Sequence, residues 1–159
     1  MLSINLTLSA KCARLEVFCT PVVISVLSYW VYTKMIRIVL VDDHALFRTA
    51  IVTMLEEASD IEVVAEVATG EQAIEYVRKQ PPPDLILMDI NMSGIGGIEA
   101  TRRILHIAPA VKIIAVTALG EAPFPHQLLD AGARGYLSKG CQPKEFFEAI
   151  RTVMVGNPY

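Results

Sequence analysis

The sequence predicts an α/β fold in which five parallel strands form one sheet and five helices cover its two faces. Short apolar runs alternate with amphipathic stretches from Met35 onward, and four of these runs end in a polar residue. Strict alternation of strand and helix requires right-handed crossovers, which keep the strands parallel and place helices on both faces. The 159 residues, 53% of them hydrophobic, suffice for one domain with a large core.

The first strand and the first helix come directly after Met35. Residues 36–41 form an apolar run that predicts a buried strand. Apolar side chains then recur at i, i+4, i+7 and i+8, which is one face of a helix. These side chains are Phe47, Ile51, Met54 and Leu55. His44 precedes this face, and we expect it to start the helix rather than to bind a metal ion or carry a phosphoryl group.

The second strand and the second helix are delimited by the residues between them. Residues 61–67 are predicted to form the strand. Thr69 is expected to cap the next helix, with Gln72 reaching back to complete a capping box. The three prolines at residues 81–83 end this helix.

The third strand, residues 85–88, leads into a turn and a third helix. Gly94, Gly96 and Gly97 make this turn flexible. The helix after the turn is predicted to end before Pro109 and to bury one face. That face consists of Ile98, Thr101, Leu105 and Ala108.

The remaining elements continue the alternation to the end of the chain. The fourth strand, residues 111–116, precedes a Pro-rich loop at residues 122–125 and a short helix that ends at Gly132. Residues 135–138 form the fifth strand, and Pro143 is placed to be the first residue of the last helix. The face that this helix buries consists of Phe146, Phe147, Ile150, Val153 and Met154.

Polar side chains stand at the ends of four of the five predicted strands. The carboxyl ends of parallel strands lie at one edge of the sheet, where ligands of such sheets bind. Three acids, a hydroxyl and an ammonium group therefore converge there. They are Asp42 and Asp43 after the first strand, Asp89 after the third, Thr117 after the fourth and Lys139 after the fifth.

Four segments together resemble the receiver domain of two-component response regulators: residues 38–44, 87–92, 116–118 and 135–140. Within the family, Asp-Asp-His at residues 42–44, the glycines of the turn and Ser-Lys-Gly resemble most the NarL/FixJ class. Members of that class often pair the receiver with a LuxR-type DNA-binding module. The resemblance covers about residues 35–156 and implies the flavodoxin-like strand order 2-1-3-4-5.

The acids suit chemistry at a phosphorus centre. Asp89 at a strand end can act as a carboxylate nucleophile and form an aspartyl-phosphate. Close carboxylates repel each other by about 4 kcal/mol per pair at an effective dielectric constant of about 20, so a divalent cation is required. Mg²⁺ prefers oxygen ligands, and Asp43, Asp89 and a backbone carbonyl near Asn91 make a plausible set, with Asp42 acting directly or through water.

The resemblance assigns a role to each remaining polar group. Asp89 is the phosphoacceptor, Lys139 supplies a positive charge to a phosphoryl oxygen, and Thr117 is the switch hydroxyl that donates to another. Tyr136 matches the switch aromatic of the family, although an ordinary strand tyrosine explains it equally well. The chain would then catalyse only its own phosphoryl transfer and dephosphorylation, and would not be an enzyme toward other substrates.

The resemblance also implies partners. A sensor histidine kinase or a phosphotransfer protein would donate the phosphoryl group, and the face from the fourth strand to the fifth helix would form a homodimer or another partner surface. Phosphorylation would then control partner binding or transcription. The net charge of −3 provides no basic patch, so direct nucleic-acid binding by this chain is not expected.

Three features depart from the family pattern. Ser93 stands where a proline is usual, which predicts a less rigid loop after Asp89, and Gly140 replaces a proline that is often in a cis peptide. We interpret residues 157–159 as a truncated linker, at the point where an output domain would normally begin, and expect no output domain in this chain. The sequence therefore fits either a stand-alone receiver or a truncated transcription regulator, the second being slightly favoured.

Residues 1–34 do not resemble the rest of the chain. Residues 17–33 carry no charge and contain several aromatic side chains, a layout that fits a short membrane anchor or a signal-like segment. Met35 directly precedes the first strand and would make a natural start, so an irrelevant or mis-started extension is favoured. The three cysteines show no metal or disulfide spacing, and we expect a cytoplasmic protein that meets a membrane only if residues 17–33 are a real anchor.

Two other functions remain open from the sequence. A pseudo-receiver would bind partners without phosphorylation, although all five polar groups argue against it. An aspartate-nucleophile phosphatase of the haloacid-dehalogenase type would use Asp89 and a second acid. The residue at the corresponding position is Asn91, which cannot protonate a leaving group.

Overall fold

A computed structural model describes residues 35–118 and 125–159. The N-terminal extension, including the possible anchor at residues 17–33, and most of the Pro-rich loop lie outside the described residues. In the two described ranges, no helix combines the length and apolar character that crossing a membrane requires.

The predicted alternation of five strands and five helices is confirmed within the described residues. The elements are β1 (Ile36–Val41), α1 (Ala45–Glu56), β2 (Ile61–Val67), α2 (Gly70–Lys79), β3 (Leu85–Asp89), α3 (Gly96–Ile107), β4 (Lys112–Thr117), α4 (Pro125–Asp130), β5 (Gly135–Ser138) and α5 (Pro143–Met154). All neighbouring strands are parallel, and their order is β2-β1-β3-β4-β5. This is the order that the resemblance implied.

Strand side chains alternate between two apolar layers. On one face of the sheet, Ile38 and Leu40 of β1 join the cluster that includes Leu55 of α1 and Phe146 of α5. On the other face, Val39 and its neighbours pack with α2 and α3. Each fully buried large aliphatic side chain stabilises the fold by about 1.5–3 kcal/mol. The strands are therefore held on both faces, which fixes where each strand ends.

The ends of the helices agree with most of the predictions. His44 is the residue before α1, and Pro143 is the first residue of α5. Thr69 caps α2 by accepting the backbone N–H of Gln72 at 3.2 Å. The Gln72 side chain reaches back one residue further than a standard capping box, because it accepts the backbone N–H of Ala68 at 2.8 Å.

The predicted buried face of α3 was partly wrong. Thr101 is buried as expected, but the other buried residues of α3 are Gly97, Ala100 and Ile104. Gly97 and Ala100, the small residues on this face, let the helix approach the backbone of β3. The predicted face was chosen mainly by large apolar side chains, so it left these small residues out. The close approach fixes the loop between β3 and α3.

The reversal of winding lies between β1 and β3. The chain runs from β1 to β2 on one side of the sheet, and then returns to place β3 on the other side of β1. Such a switch point leaves a crevice beyond the carboxyl ends of the two strands. Asp42 and Asp89 stand at these two ends.

Candidate functional site

Two buried aspartates form the base of the site. Asp42 and Asp89 are each 1% exposed. Asp42 Oδ1 accepts the backbone N–H of His44 at 2.8 Å, and Asp89 Oδ1 accepts that of Asn91 at 3.1 Å. These bonds are Asx turns, in which the side chain holds the backbone two residues on. The second oxygen of each carboxylate is thereby directed to Lys139.

Lys139 joins the two carboxylates. Its Nζ lies 2.7 Å from Asp42 Oδ2 and 2.8 Å from Asp89 Oδ2, and its side chain is 17% exposed. Burial lowers the pKa of Lys139, but the two carboxylates outweigh burial and raise this pKa above its ordinary value. Lys139 therefore stays charged at neutral pH. The ring of Phe47, 4.9 Å from Nζ, lies beneath the ammonium group.

Asp43 and His44 extend this group of acids. Asp43 Oδ1 lies 2.8 Å from His44 Nδ1, and Asp42 Oδ1 lies 3.4 Å from the same nitrogen. Together with Asp89, these residues offer ligand atoms that all lie within 4.8 Å of one another. His44 starts the helix as predicted. Its imidazole also joins the cluster, although the sequence did not favour His44 as a metal ligand.

The donor set fits a hard divalent cation. Three carboxylates supply oxygen ligands of the kind that Mg²⁺ prefers. Asp42 Oδ2 contacts Lys139 as an ion pair but has no hydrogen bond of ordinary geometry among the described residues, although it is fully buried. A buried carboxylate oxygen in this state has a lone pair available for a cation.

Thr117 and Tyr136 lie on the two strands beyond β3. Thr117 is buried at the end of β4, one residue past Val116, which pairs with Asp89 across the sheet. Its Oγ1 donates to the carbonyl of Ala118 at 3.3 Å. Tyr136 on β5 is 52% exposed, so its ring faces solvent rather than the core.

An open pocket reaches one of the two aspartates. It is about 440 Å³ in volume, and its lining includes Asp89 but not Asp42. The other lining residues are His44, Leu46, Phe47, Asn91, Ala118 and Lys139. Sequence reasoning assigned Phe47 only to the core and did not single out Leu46, which is 85% exposed at the rim. Of the two buried aspartates, Asp89 is therefore the one that borders this pocket.

Glycines close the loop after Asp89. Gly94 and Gly96 have φ angles of +83° and +71°, where glycine is favoured. A Cβ on Gly97 would overlap the backbone carbonyl oxygen of Asp89, and the Gly97 N–H donates to the Ile90 carbonyl at 3.1 Å. The predicted glycine turn is therefore present, with Gly94 and Gly96 in left-handed backbone conformations and Gly97 packed against the backbone of Asp89.

The sequence is similar to a known family over most of its length. The family model of the response regulator receiver domain matches residues 38–151. Response regulator GacA of Pseudomonas viridiflava is 46% identical over 125 residues, which are 79% of this chain and 58% of that protein. Response regulator UvrY of Escherichia coli K12 is 47% identical over 79% of this chain and 57% of that protein. The chain thus spans somewhat more than half the length of these curated relatives.

Solved structures agree with the sequence matches. A LuxR-family two-component response regulator from Aurantimonas sp. SI85-9A1 has a TM-score of 0.73 and 35% identity, over 79% of this chain and 89% of that chain. The response regulator domain of Thermotoga maritima CheB has a TM-score of 0.70 and 29% identity, over 79% of this chain and 100% of that domain. Both structures therefore share the fold of this chain.

Proposed function

This chain belongs to the response regulator receiver domain family, the receiving module of two-component systems, and we propose that its Asp89 accepts the phosphoryl group. The observation that carries this proposal is the pocket. Asp42 and Asp89 are equally buried and both contact Lys139, but only Asp89 lines the pocket from which a phosphoryl donor can approach. The acceptor is thus distinguished by access.

The transfer requires an attack on phosphorus. Oδ2 of Asp89 forms the new bond to phosphorus while the bond from phosphorus to the donor nitrogen of a phosphohistidine breaks, and the bonding electrons return to the donor imidazole. Lys139 stays near Oδ2 and neutralises an oxygen of the transferred group. Thr117 donates its hydroxyl hydrogen to another of these oxygens once it leaves the Ala118 carbonyl.

Asp42, Asp43, Asp89 and the backbone carbonyl of Asn91 would hold Mg²⁺. The bound cation would neutralise the charge that builds up among these oxygens during transfer. The three acids need such a charge because Lys139 alone faces two buried carboxylates and an incoming anion. Oδ1 of Asp42 and of Asp89 already accepts a backbone N–H, so each side chain has little freedom to turn away.

The phosphorylated state is proposed to act through the face that runs from β4, which ends at Thr117, to α5. Movement of the hydroxyl toward the phosphoryl group would leave room for Tyr136 to turn inward from its exposed position. The face from β4 to α5 would then bind a partner or a second copy of the chain. A shift from 1:99 to 99:1 requires about 5.5 kcal/mol of differential stabilisation.

A sensor histidine kinase or a phosphotransfer protein is the proposed donor. The relatives GacA and UvrY are response regulators, which supports this class of partner. We also propose that the chain catalyses only its own phosphorylation and dephosphorylation. The family match favours this function over the aspartate-nucleophile phosphatase.

Intact mass after incubation with acetyl phosphate and Mg²⁺ tests the acceptor. We expect the parent to gain one phosphoryl group and Asp89→Asn to gain none, because an amide is not a nucleophile toward phosphorus. Asp42→Asn is the matched control, since it removes the charge of the equally buried carboxylate. It should label slowly but at Asp89. Equal labelling of Asp89→Asn and the parent would refute the assignment, and no labelling of a folded, Mg²⁺-binding parent would leave a pseudo-receiver.

A further inference from the structure

Glu71 bridges two elements that are far apart in the sequence. It lies in the first turn of α2, and its Oε1 accepts the backbone N–H of Ile95 at 3.0 Å. Ile95 is the N-cap residue of α3, and its own side chain makes no cap hydrogen bond. The first N–H groups of a helix need acceptors, and the helix dipole favours a negative charge there. Glu71, a residue of α2, therefore provides the N-terminal capping interaction that the side chain of Ile95 does not make for α3.

The carboxylate of Glu71 also packs against the turn itself. A Cβ on Gly94 would lie 2.6 Å from Oε1 and 2.9 Å from Oε2. Gly70, the residue before Glu71, is so close to α3 that its Cβ would lie 2.8 Å from the Cβ of Ala100. These two close approaches place α2 directly against the end of the β3–α3 loop.

Both ends of the loop at residues 90–95 are thus held by hydrogen bonds. At its start, Asp89 Oδ1 accepts the N–H of Asn91. At its end, Glu71 accepts the N–H of Ile95. Between them stands Ser93, where the family pattern has a proline that would fix the backbone by its ring. The sequence alone predicted a less rigid loop at this position.

We propose that Glu71 is a positioning residue for the phosphorylation site, which fixes the loop after Asp89 in place of the missing proline. The inference rests on the proposed function, because the loop carries the Asn91 carbonyl that would contact Mg²⁺. Loss of the hydrogen bond from Ile95 to Glu71 would leave Asp42, Asp43 and Asp89 in place but would allow Asn91 to move. Glu71 is exposed, and solvent screens its charge. We therefore attribute its effect on the loop to the hydrogen bond with the Ile95 N–H rather than to its charge.

Substitution of Glu71 in the full chain tests the proposal. Glu71→Ala should weaken Mg²⁺ binding about tenfold, as is common for residues that orient metal ligands. It should also slow labelling of Asp89 by acetyl phosphate. Glu71→Gln keeps an acceptor oxygen and should retain most of the affinity. Glu75→Ala is the matched control, because Glu75 lies one turn further along α2 and pairs only with Lys79 at 2.6 Å among the described contacts.

A rescue experiment separates positioning from general stability. Ser93→Pro should restore Mg²⁺ affinity in the Glu71→Ala background, since proline restricts the same loop by another route. Titration calorimetry gives the affinity, and intact mass gives the labelling rate. Equal affinities of the Glu71→Ala and Glu75→Ala variants, or a failure of Ser93→Pro to restore binding, would overturn the proposal. Absence of labelling in the parent would instead overturn the proposed function, while Mg²⁺ binding still reports on the loop.

Discussion

The β1–α1 loop and the β3–α3 loop start in the same way and close differently. Each starts with an aspartate that is 1% exposed, and each aspartate holds the backbone N–H two residues on. Each also directs its second oxygen to Lys139, at 2.7 Å from Asp42 and 2.8 Å from Asp89. The two carboxylates are therefore equally buried and both contact Lys139, although only Asp89 accepts a hydrogen bond of ordinary geometry from it.

The difference lies in the chain segment after each aspartate. In the β1–α1 loop, residues 42–44, helix α1 begins at once and closes the loop locally, because Arg48 donates to the carbonyl of Asp42 at 2.6 Å. The β3–α3 loop, residues 90–95, is longer and is closed by Glu71, a residue from another helix. The pocket opens over Asp89 and not over Asp42. We therefore infer that the two loops, rather than the two carboxylates, would determine which aspartate a phosphoryl donor reaches.

Gly97→Ala should have the largest effect on this contrast. The added Cβ would overlap the carbonyl oxygen of Asp89 and lie 2.8 Å from the Ile90 Cα, and backbone cannot yield as a flexible side chain does. We expect a loss of about 3 kcal/mol in the free energy of unfolding, measured with urea. The control Gly156→Ala meets no atom within 4 Å but has a φ of +98°, and should lose about 1 kcal/mol. Equal losses would show that α3 does not support the loop through this contact.

Lys139→Met removes the group that the two loops share. Two buried carboxylates then face each other without a cation. We expect the free energy of unfolding at pH 7 to fall by about 2 kcal/mol. Mg²⁺ should stabilise this variant more than the parent, since a bound cation replaces the missing charge. Lys112→Met is the matched control, because the side chain of Lys112 donates only to the Met154 carbonyl, at 3.0 Å, among the described contacts. A loss no larger than that of the control would mean that Lys139 does not join the loops.

The same variant has a defined pH dependence. The pKa of Lys139 is raised in the folded state, so its stabilisation is complete below the unfolded pKa of about 10.4 and is lost as the pH rises through the higher folded value. The difference in the free energy of unfolding between the parent and Lys139→Met should therefore stay constant from pH 7 to about pH 10 and shrink above that. Urea unfolding at several pH values measures this difference, and a gap that shrinks on acidification to pH 8 would contradict the assignment.

The positions that the sequence predicted correctly are those at strand ends, while the roles of these residues stay predictions. Asp42, Asp89, Thr117 and Lys139 each follow or end a buried strand, and parallel strands bring their carboxyl ends to one edge whatever the helices do. Their meeting could be predicted without any knowledge of side-chain direction. The resemblance added the order of the strands.

The contacts that the sequence missed are made by long polar side chains, by Glu71 across elements and by Arg48 to the loop directly before its own helix. Glu71 and Arg48 reach backbone groups of the two loops, and their contacts depend on how far and at what angle each helix packs. Helical periodicity assigns both side chains only to a polar face. Phe47 was predicted as core, and its contact with Lys139 depends on the position of β5 relative to α1. Such contacts require the packed structure.

Arg48→Met should have the smallest effect, and it sharpens the contrast between the loops. Loss of the hydrogen bond to the Asp42 carbonyl should lower the free energy of unfolding by about 1.5 kcal/mol, as for other bonds to charged groups. Arg102→Met is the control, because Arg102 is half exposed and its 3.7 Å ion pair with Glu99 contributes little. Labelling of Asp89 should slow less than in Glu71→Ala, because Asp42 is still held by its own turn and by Lys139. If labelling slowed as much as in Glu71→Ala, both loops would depend on a helix side chain to hold their backbone. The β1–α1 loop would then not differ from the β3–α3 loop in this respect.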